Sequence, residues 1–312
     1  MKLSTLALMT LVSSSALAVN FHTELDQEIV RLSSVSRVSS TAGDRYADAS
    51  CKAKYATLYN KRVIKISYGF GYGDSTPGNL VWDDLTYNAF YRRLRMPCGP
   101  GITLCGFTPD RRERNLLRKV AFHPTAENNY MIELRITKAS LGRDHASNTT
   151  GTTGAAQLQS CVAATQKFML EVSQGADIAI YNGHSRDGGG PDFCPPRTTA
   201  DRQHVNYAWY QQHRPGINAL TSSMSTARAS SQPNNVVGMF SCSSQLHFQR
   251  RLTTASPSAG LILTKRIATF TEMILDSFAA LDGLLAQRCN DGFEQSFSAR
   301  NATHWVNMFS AP

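Results

Sequence analysis

The sequence predicts an α/β fold: a mainly parallel sheet covered by helices on both faces. Short apolar, β-branched runs recur along the chain, among them Ile178-Ala179-Ile180-Tyr181, "NNVVGMFS" at 234–241 and "AGLILTKR" at 259–266. Stretches with helical spacing stand between such runs, and strands alternating with helices give parallel sheets with both faces covered. No internal repeat or low-complexity tract interrupts the pattern.

Taken in order, residues 1–18 read as a signal peptide. Lys2 is a short positive region, Leu3–Val12 is mostly apolar, and Ala16-Leu17-Ala18 fits a small-x-small cleavage site, leaving Val19 as the mature start. That apolar run is shorter than the ~20 residues needed to span a bilayer, and no later stretch is longer. The expectation is a secreted or periplasmic protein without a transmembrane anchor. Residues 19–54 are polar and Ser-rich, an extension or pro-segment in which only "HTELDQEIVRLS" has helical character. Residues 55–312 carry the α/β domain.

Within that domain "KRVIKISYGFG" alternates as a strand does, and "VWDDLTYNAFYRRLR" spaces Trp82, Leu85, Ala89, Phe90 and Leu94 as a helix does. "GITLCGF" reads as a short strand, "RRERNLLRKVAF" as a helix and "NYMIELRITKA" as a longer strand. After a polar loop, "AAQLQSCVAATQKFMLEVSQ" is helical. "TFTEMILDSFAALDGLLAQRC" sets Phe270, Met273, Ile274, Phe278, Leu281, Leu284 and Leu285 on one helical face, which is the pattern of core packing.

The formal charge is +9 and falls by one with Lys2. It is spread along the chain, with no Lys/Arg block and no basic stripe interleaved with aromatics, so it is general surface character rather than a nucleic-acid site. Seven cysteines are present: Cys51, Cys98, Cys105, Cys161, Cys194, Cys242 and Cys289. In an oxidising compartment an odd number leaves one thiol unpaired. Cys98 and Cys105 flank a Gly-Pro-Gly turn and could close a short loop, and Cys194 is placed to staple the loop that follows His184.

Two strand ends carry chemistry. The run "ADIAIYNGHSRDGGGPDF" at 176–193 stops at Asn182-Gly183 and presents His184 to a glycine-rich loop. The run "NNVVGMFSCSS" at 234–244 has the same form with Cys242 in the terminal place. In an open parallel sheet, reactive groups collect beyond the carboxyl ends of the strands. If the two strands are neighbours, both side chains share one crevice. A thiol is weakly ionised at neutral pH, and an adjacent imidazole can stabilise the thiolate or protonate a leaving amine.

These residues resemble the caspase-like cysteine peptidases, a group that includes caspases, legumains, clostripains and gingipains. "IAIYNGHS" and "VVGMFSCSSQLHF" are most similar to the gingipain versions. The resemblance covers the order of elements over residues 60–289 and about twenty residues of motif. It implies a caspase-like three-layer sandwich, Cys242 as nucleophile and His184 as proton donor to the leaving amine. It further implies an oxyanion site made by the backbone N–H groups of Cys242 and Ser185, with "AGLILTKR" and its following loop bordering a cleft for a protein or peptide substrate. Two positions depart from the family pattern. Ser185 stands where Gly is usual, and Phe240-Ser241 stands where many relatives have Asp-Ala. The departures fit a second reading, an exported binding protein that keeps the sheet without the chemistry. A third is a thiol-dependent cell-wall amide hydrolase or acyltransferase using the same pair.

Other motifs carry less. His247, just beyond Cys242, reads as a surface histidine on a helix or turn. His145, His204 and His213 are scattered in polar loops, and His184 with Asp187 or Asp192 lacks the tight spacing of zinc motifs, so no metal is expected. "GFGYGDSTPG" lacks the Lys-Ser/Thr ending of a phosphate loop and the full dinucleotide spacing, so no cofactor is expected. Asn148 and Asn301 head glycosylation sequons. Asp74, Asp83 and Asp84 could receive a basic substrate residue, though nothing in the sequence places them in a pocket.

Overall fold

The computed structural model of the chain describes residues 23–28, 30–31, 49–73, 82–99, 102–123, 128–139, 155–201, 204–288, 293, 297 and 304–307. Its elements in chain order are α1 (Ala49–Tyr59), β1 (Val63–Phe70), α2 (Trp82–Arg95), β2 (Thr108–Pro109), β3 (Leu116–His123), β4 (Asn128–Lys138), α3 (Ala155–Ser173) and β5 (Ile178–Asn182). They continue with α4 (Tyr207–His213), α5 (Pro215–Ala229), β6 (Val236–Phe240), α6 (Ser244–Ala255), β7 (Gly260–Thr264), α7 (Phe270–Leu285) and β8 (His304–Asn307). Residues 23–28 are also helical.

The strands form an eight-stranded sheet in the order β2-β3-β4-β1-β5-β6-β7-β8. β4, β1, β5, β6 and β7 run parallel. The antiparallel strands lie at the margins, with β2 and β3 beside β4 and with β8 beside β7. The mainly parallel α/β sheet read from the sequence is therefore the observed one. Because successive residues of a strand face opposite ways, each central strand feeds two cores. Ile64, Ile66, Tyr68, Ile178, Ile180, Val236, Phe240 and Ile262 pack with α1, α2 and α7. Ala179, Tyr181, Val237, Met239, Leu261 and Leu263 pack with α3, α5 and α6 on the other side. The result is a three-layer sandwich. Burial on both faces is why these strands are continuously apolar.

α7 is the most enclosed helix. Every residue from Met273 to Leu285 is buried, so the single apolar face read from sequence extends all round. It starts at a capping box in which Thr269 Oγ1 accepts from the Glu272 N–H at 3.2 Å and Glu272 Oε2 accepts from the Thr269 N–H at 2.7 Å. Tyr59 OH donates to the Leu284 carbonyl at 2.7 Å, fastening α1 to α7.

Two sequence expectations are corrected. "RRERNLLRKVAF" is not a helix. Leu116–His123 is β3, paired antiparallel with β4 from Leu116↔Arg135 to His123↔Asn128, and Arg118 Nε reaches Glu133 Oε1 across the pair at 3.1 Å. The backbone partner supplied by β4 outweighs the local helical spacing, as tertiary context routinely does. "GITLCGF" is not a strand: its Thr103 and Leu104 N–H groups are taken by Asp282 Oδ1 of α7 at 2.8 and 3.0 Å, and those of Gly106 and Phe107 by carbonyls of Met96 and Leu94. The Cys98–Cys105 disulfide closes this loop. Among the described residues no helix is long and apolar enough to cross a membrane.

Candidate active site

β5 and β6 are adjacent and parallel, with Asn182 opposite Phe240, and the Gly183 N–H donates to the Phe240 carbonyl at 3.1 Å. The pairing thus runs one residue past the strands, and His184 and Cys242 follow at the same level. Period-two alternation carries on from Ile178, Ile180 and Asn182 to His184, and from Val236 and Phe240 to Cys242, so both belong to the α7 side of the sheet. Contacts agree. The His184 ring lies edge-on to Phe270 with centroids 5.0 Å apart, and Cys242 Sγ donates to the Ala268 carbonyl at 3.6 Å. One short stretch, the end of the β7–α7 connection and the first residue of α7, therefore touches both side chains. The chain reverses direction across the sheet at β1, which has β4 on one side and β5 on the other, so the crevice of such a sheet opens beside His184.

Each turn is built by specific bonds. After Cys242 the chain passes through Ser243 at φ 49°, a left-handed conformation that costs a non-glycine residue ~1–2 kcal/mol. The Ser243 N–H donates to the Arg266 carbonyl at 2.9 Å. Buried Ser244 Oγ donates to the Met239 carbonyl at 2.6 Å and accepts the Thr264 N–H at 2.8 Å, holding the cysteine turn to β6 and β7. Beneath His184, Asn182 Nδ2 donates to Ser277 Oγ of α7 at 2.9 Å, and Ser277 also meets the buried Tyr68 hydroxyl.

Past His184 the backbone is tighter. Arg186 and Asp187 adopt φ 47° and 52° in succession, before Gly188 at 89°. Ser185 is the exception: its φ of −77° and ψ of −20° are open to any residue, so the β-carbon that departs from the family pattern imposes no strain. Among the described residues, the N–H groups of Ser185 and Cys242 donate to no protein acceptor. A buried residue with an unpaired N–H is uncommon, and Ser185 is only 6% exposed. Gly183 is required by its surroundings, since a Cβ there would lie 2.5 Å from the Tyr181 hydroxyl. Tyr181 OH and the Asp192 carbonyl crowd Gly71 in the same way, which gives this glycine after β1 a packing role.

The remaining candidates separate. Cys242 is the one free thiol among the described residues. Cys98 pairs with Cys105, and Cys194 with Cys161 of α3, which staples the loop after His184. The side chains of Cys51 and Cys289 lie outside the described residues. His247, on α6, is not a bystander: its Nε2 lies 3.6 Å from Asp187 Oδ1, where Gln211 also bonds. His184, Asp187 and Asp192 diverge to Phe270, His247 and Arg186 respectively. No group of three or more His, Cys, Asp or Glu side chains converges among the described residues. His213 stacks on Trp209 and His204 sits on an exposed bend, while His145, Asn148, Asn301 and Asp74 fall outside the described residues, as does the side chain of Asp83. Asp84 is taken by Lys138.

Ala268, in the loop after "AGLILTKR" that the resemblance sets beside a cleft, borders Cys242; sequence reasoning did not single out Phe270, which it read as core, or Asn182, whose buried amide reads like any strand-end residue. A groove of about 480 Å³ lies behind the histidine turn, lined by Leu158, Val162, Pro195, Trp209 and Tyr210; neither Cys242 nor His184 lines it. No family model, curated protein or solved structure matches this chain.

Proposed function

We propose that the chain is an exported cysteine peptidase of caspase-like type in which Cys242 and His184 act as a dyad. The observation that carries the reading is their placement level with one another, on the same side of the sheet, at the ends of adjacent parallel strands. The Cys242 thiol passes its proton to His184 and its Sγ adds to the scissile carbonyl carbon, and the carbonyl oxygen, now negative, accepts from the N–H groups of Cys242 and Ser185. Those donors make no bond to the protein, so no bond need break for them to serve. Collapse of the adduct expels the amine, which takes its proton from His184, and leaves a thioester on Cys242. Water attacks the thioester, giving the acid and returning the thiol. Two disulfides fit an oxidising compartment such as the periplasm or the exterior.

The test is peptide-bond cleavage of a denatured protein mixture by the exported chain, read by mass spectrometry. Cleavage should fall by about 10³-fold or more in Cys242→Ala and His184→Ala. Undiminished cleavage by Cys242→Ala would refute the dyad. Release of amides from wall fragments, with peptides untouched, would replace peptidase by the wall-enzyme reading.

A further inference from the structure

Several ties across the turn after His184 meet on one residue, Asp192. Asp192 Oδ2 accepts from Arg186 Nε at 3.0 Å and from Tyr210 OH at 3.0 Å, and Oδ1 accepts from the Cys194 N–H at 3.0 Å. Its main chain is held as closely. The Asp192 N–H donates to the Tyr181 hydroxyl at 2.9 Å, and the Asp192 carbonyl accepts from the Tyr72 N–H at 3.1 Å. The Tyr181 hydroxyl in turn stands 3.2 Å from the His184 carbonyl and 2.9 Å from that of Asp192, within donating distance of both. Burial, and after it the Asp192 charge, push the Tyr210 phenol up to about 12, so it keeps its proton and donates across the working range.

The Arg186 and Asp192 side chains are 2% and 13% exposed. A buried ion pair contributes little to stability compared with apolar packing of the same volume, so its presence calls for another account. The pair spans the turn at its neck. Arg186 lies two residues after His184, in a left-handed conformation that a non-glycine residue keeps only when its surroundings impose it. The Gly190 N–H closes back on the Ser185 carbonyl at 2.8 Å.

We propose that Asp192 is a positioning residue for His184: through Arg186 and the Tyr181 hydroxyl it fixes the turn that aims the imidazole toward Cys242. This rests on the dyad reading above. Asp192 touches no reacting atom and acts only by way of His184.

That dependence supplies the test. The rate of Cys242 alkylation by iodoacetamide is measured against pH for the exported protein, with His184→Ala, Asp192→Asn, Asp192→Glu, Tyr181→Phe and the double variant Asp192→Asn/His184→Ala, each checked for folding by thermal melting. The wild-type protein should react at least tenfold faster near neutral pH than His184→Ala. Asp192→Asn should lose most of that advantage and Tyr181→Phe part of it, while Asp192→Glu recovers some. In the His184→Ala background, Asp192→Asn should change nothing further. A residue with a purely structural role would lower the melting temperature and act equally in both backgrounds. Equal rates for wild type and His184→Ala would overturn the dyad itself. A fast wild type with Asp192→Asn and Tyr181→Phe equally fast would overturn only the role of Asp192. Should Asp192→Asn fail to fold, Tyr181→Phe, which keeps the buried ring, decides alone: a wild-type rate there overturns the inference.

Discussion

At the scale of single residues, the strand-end logic depends on where side-chain alternation persists beyond the regular ladder. His184 and Cys242 each lie two residues past a strand, and the continued bond from Gly183 to Phe240 carries the strand register on toward them. Ser185 then decides whether the turn tolerates a side chain at the proposed oxyanion position. With φ at −77° it gains nothing from glycine's conformational freedom. Ser185→Gly is therefore expected to leave cleavage within about twofold of wild type, while lowering stability by ~0.5–1 kcal/mol through added freedom of the unfolded chain. Initial rates together with urea titration check both halves. A large gain in rate on removing the β-carbon would show that the serine obstructs the oxyanion site. The position of His184 was legible because a polar residue closing an apolar run is conspicuous. The role of Asp192 was not, because its partners Arg186, Tyr210 and Tyr181 look in sequence like unrelated loop, helix and strand residues.

Among the elements, those that read correctly are those whose environment is uniform along their length. β5, β6 and β7 are buried on both faces and so are continuously apolar. α7 is enclosed and so has more apolar residues than one face needs. β3 misled because it lies outside the helical cover. Leu116 and Leu117 are buried side by side, while Val120 and Phe122 are 64% and 59% exposed, leaving no period of two to find. The loop after His184 belongs to neither class. Among its described residues there is no strand and one short turn of 3₁₀ helix, and it is held to α3 by Cys161–Cys194, bonded 33 residues apart in sequence. Replacing both cysteines by serine removes that constraint from the unfolded chain, which by loop-closure entropy costs about 3–4 kcal/mol. Chemical denaturation should show that loss as a lower midpoint. Cleavage by the folded fraction should also fall, since without the staple the main-chain N–H of residue 194, which donates to the carboxylate that secures the histidine turn, is no longer held in place. A drop in stability with full activity would separate the staple from the site.

On the scale of the whole molecule, the N-terminal extension bears on how the proposed activity could be switched on. Removal of residues 19–54 would be a simple switch if the segment only masked the cleft. Its described parts are instead built into the core. Leu25 is 2% exposed within the cluster that contains α2 and α7, and Asp26 approaches Arg93 of α2 at 3.9 Å. α1 runs from Ala49 to Tyr59, straight across residue 54. Its Tyr55 and Tyr59 hydroxyls bond the carbonyls of Arg288 and Leu284. A chain beginning at residue 55 would lose the first half of α1 and expose the apolar surface that Leu25 covers. Truncating a single buried leucine to alanine costs ~2–5 kcal/mol, a large share of the ~5–15 kcal/mol by which a domain is held folded. Leu25→Ala is thus expected to lower the melting temperature by several degrees, and the chain starting at residue 55 to melt far below the one starting at Val19 or to aggregate. Melting curves for the three proteins check this. Equal melting temperatures would mean that the extension is a detachable cover, and that removing it could switch the site on. A large difference would make residues 19–54 part of the folded domain, so that any activating cut falls elsewhere.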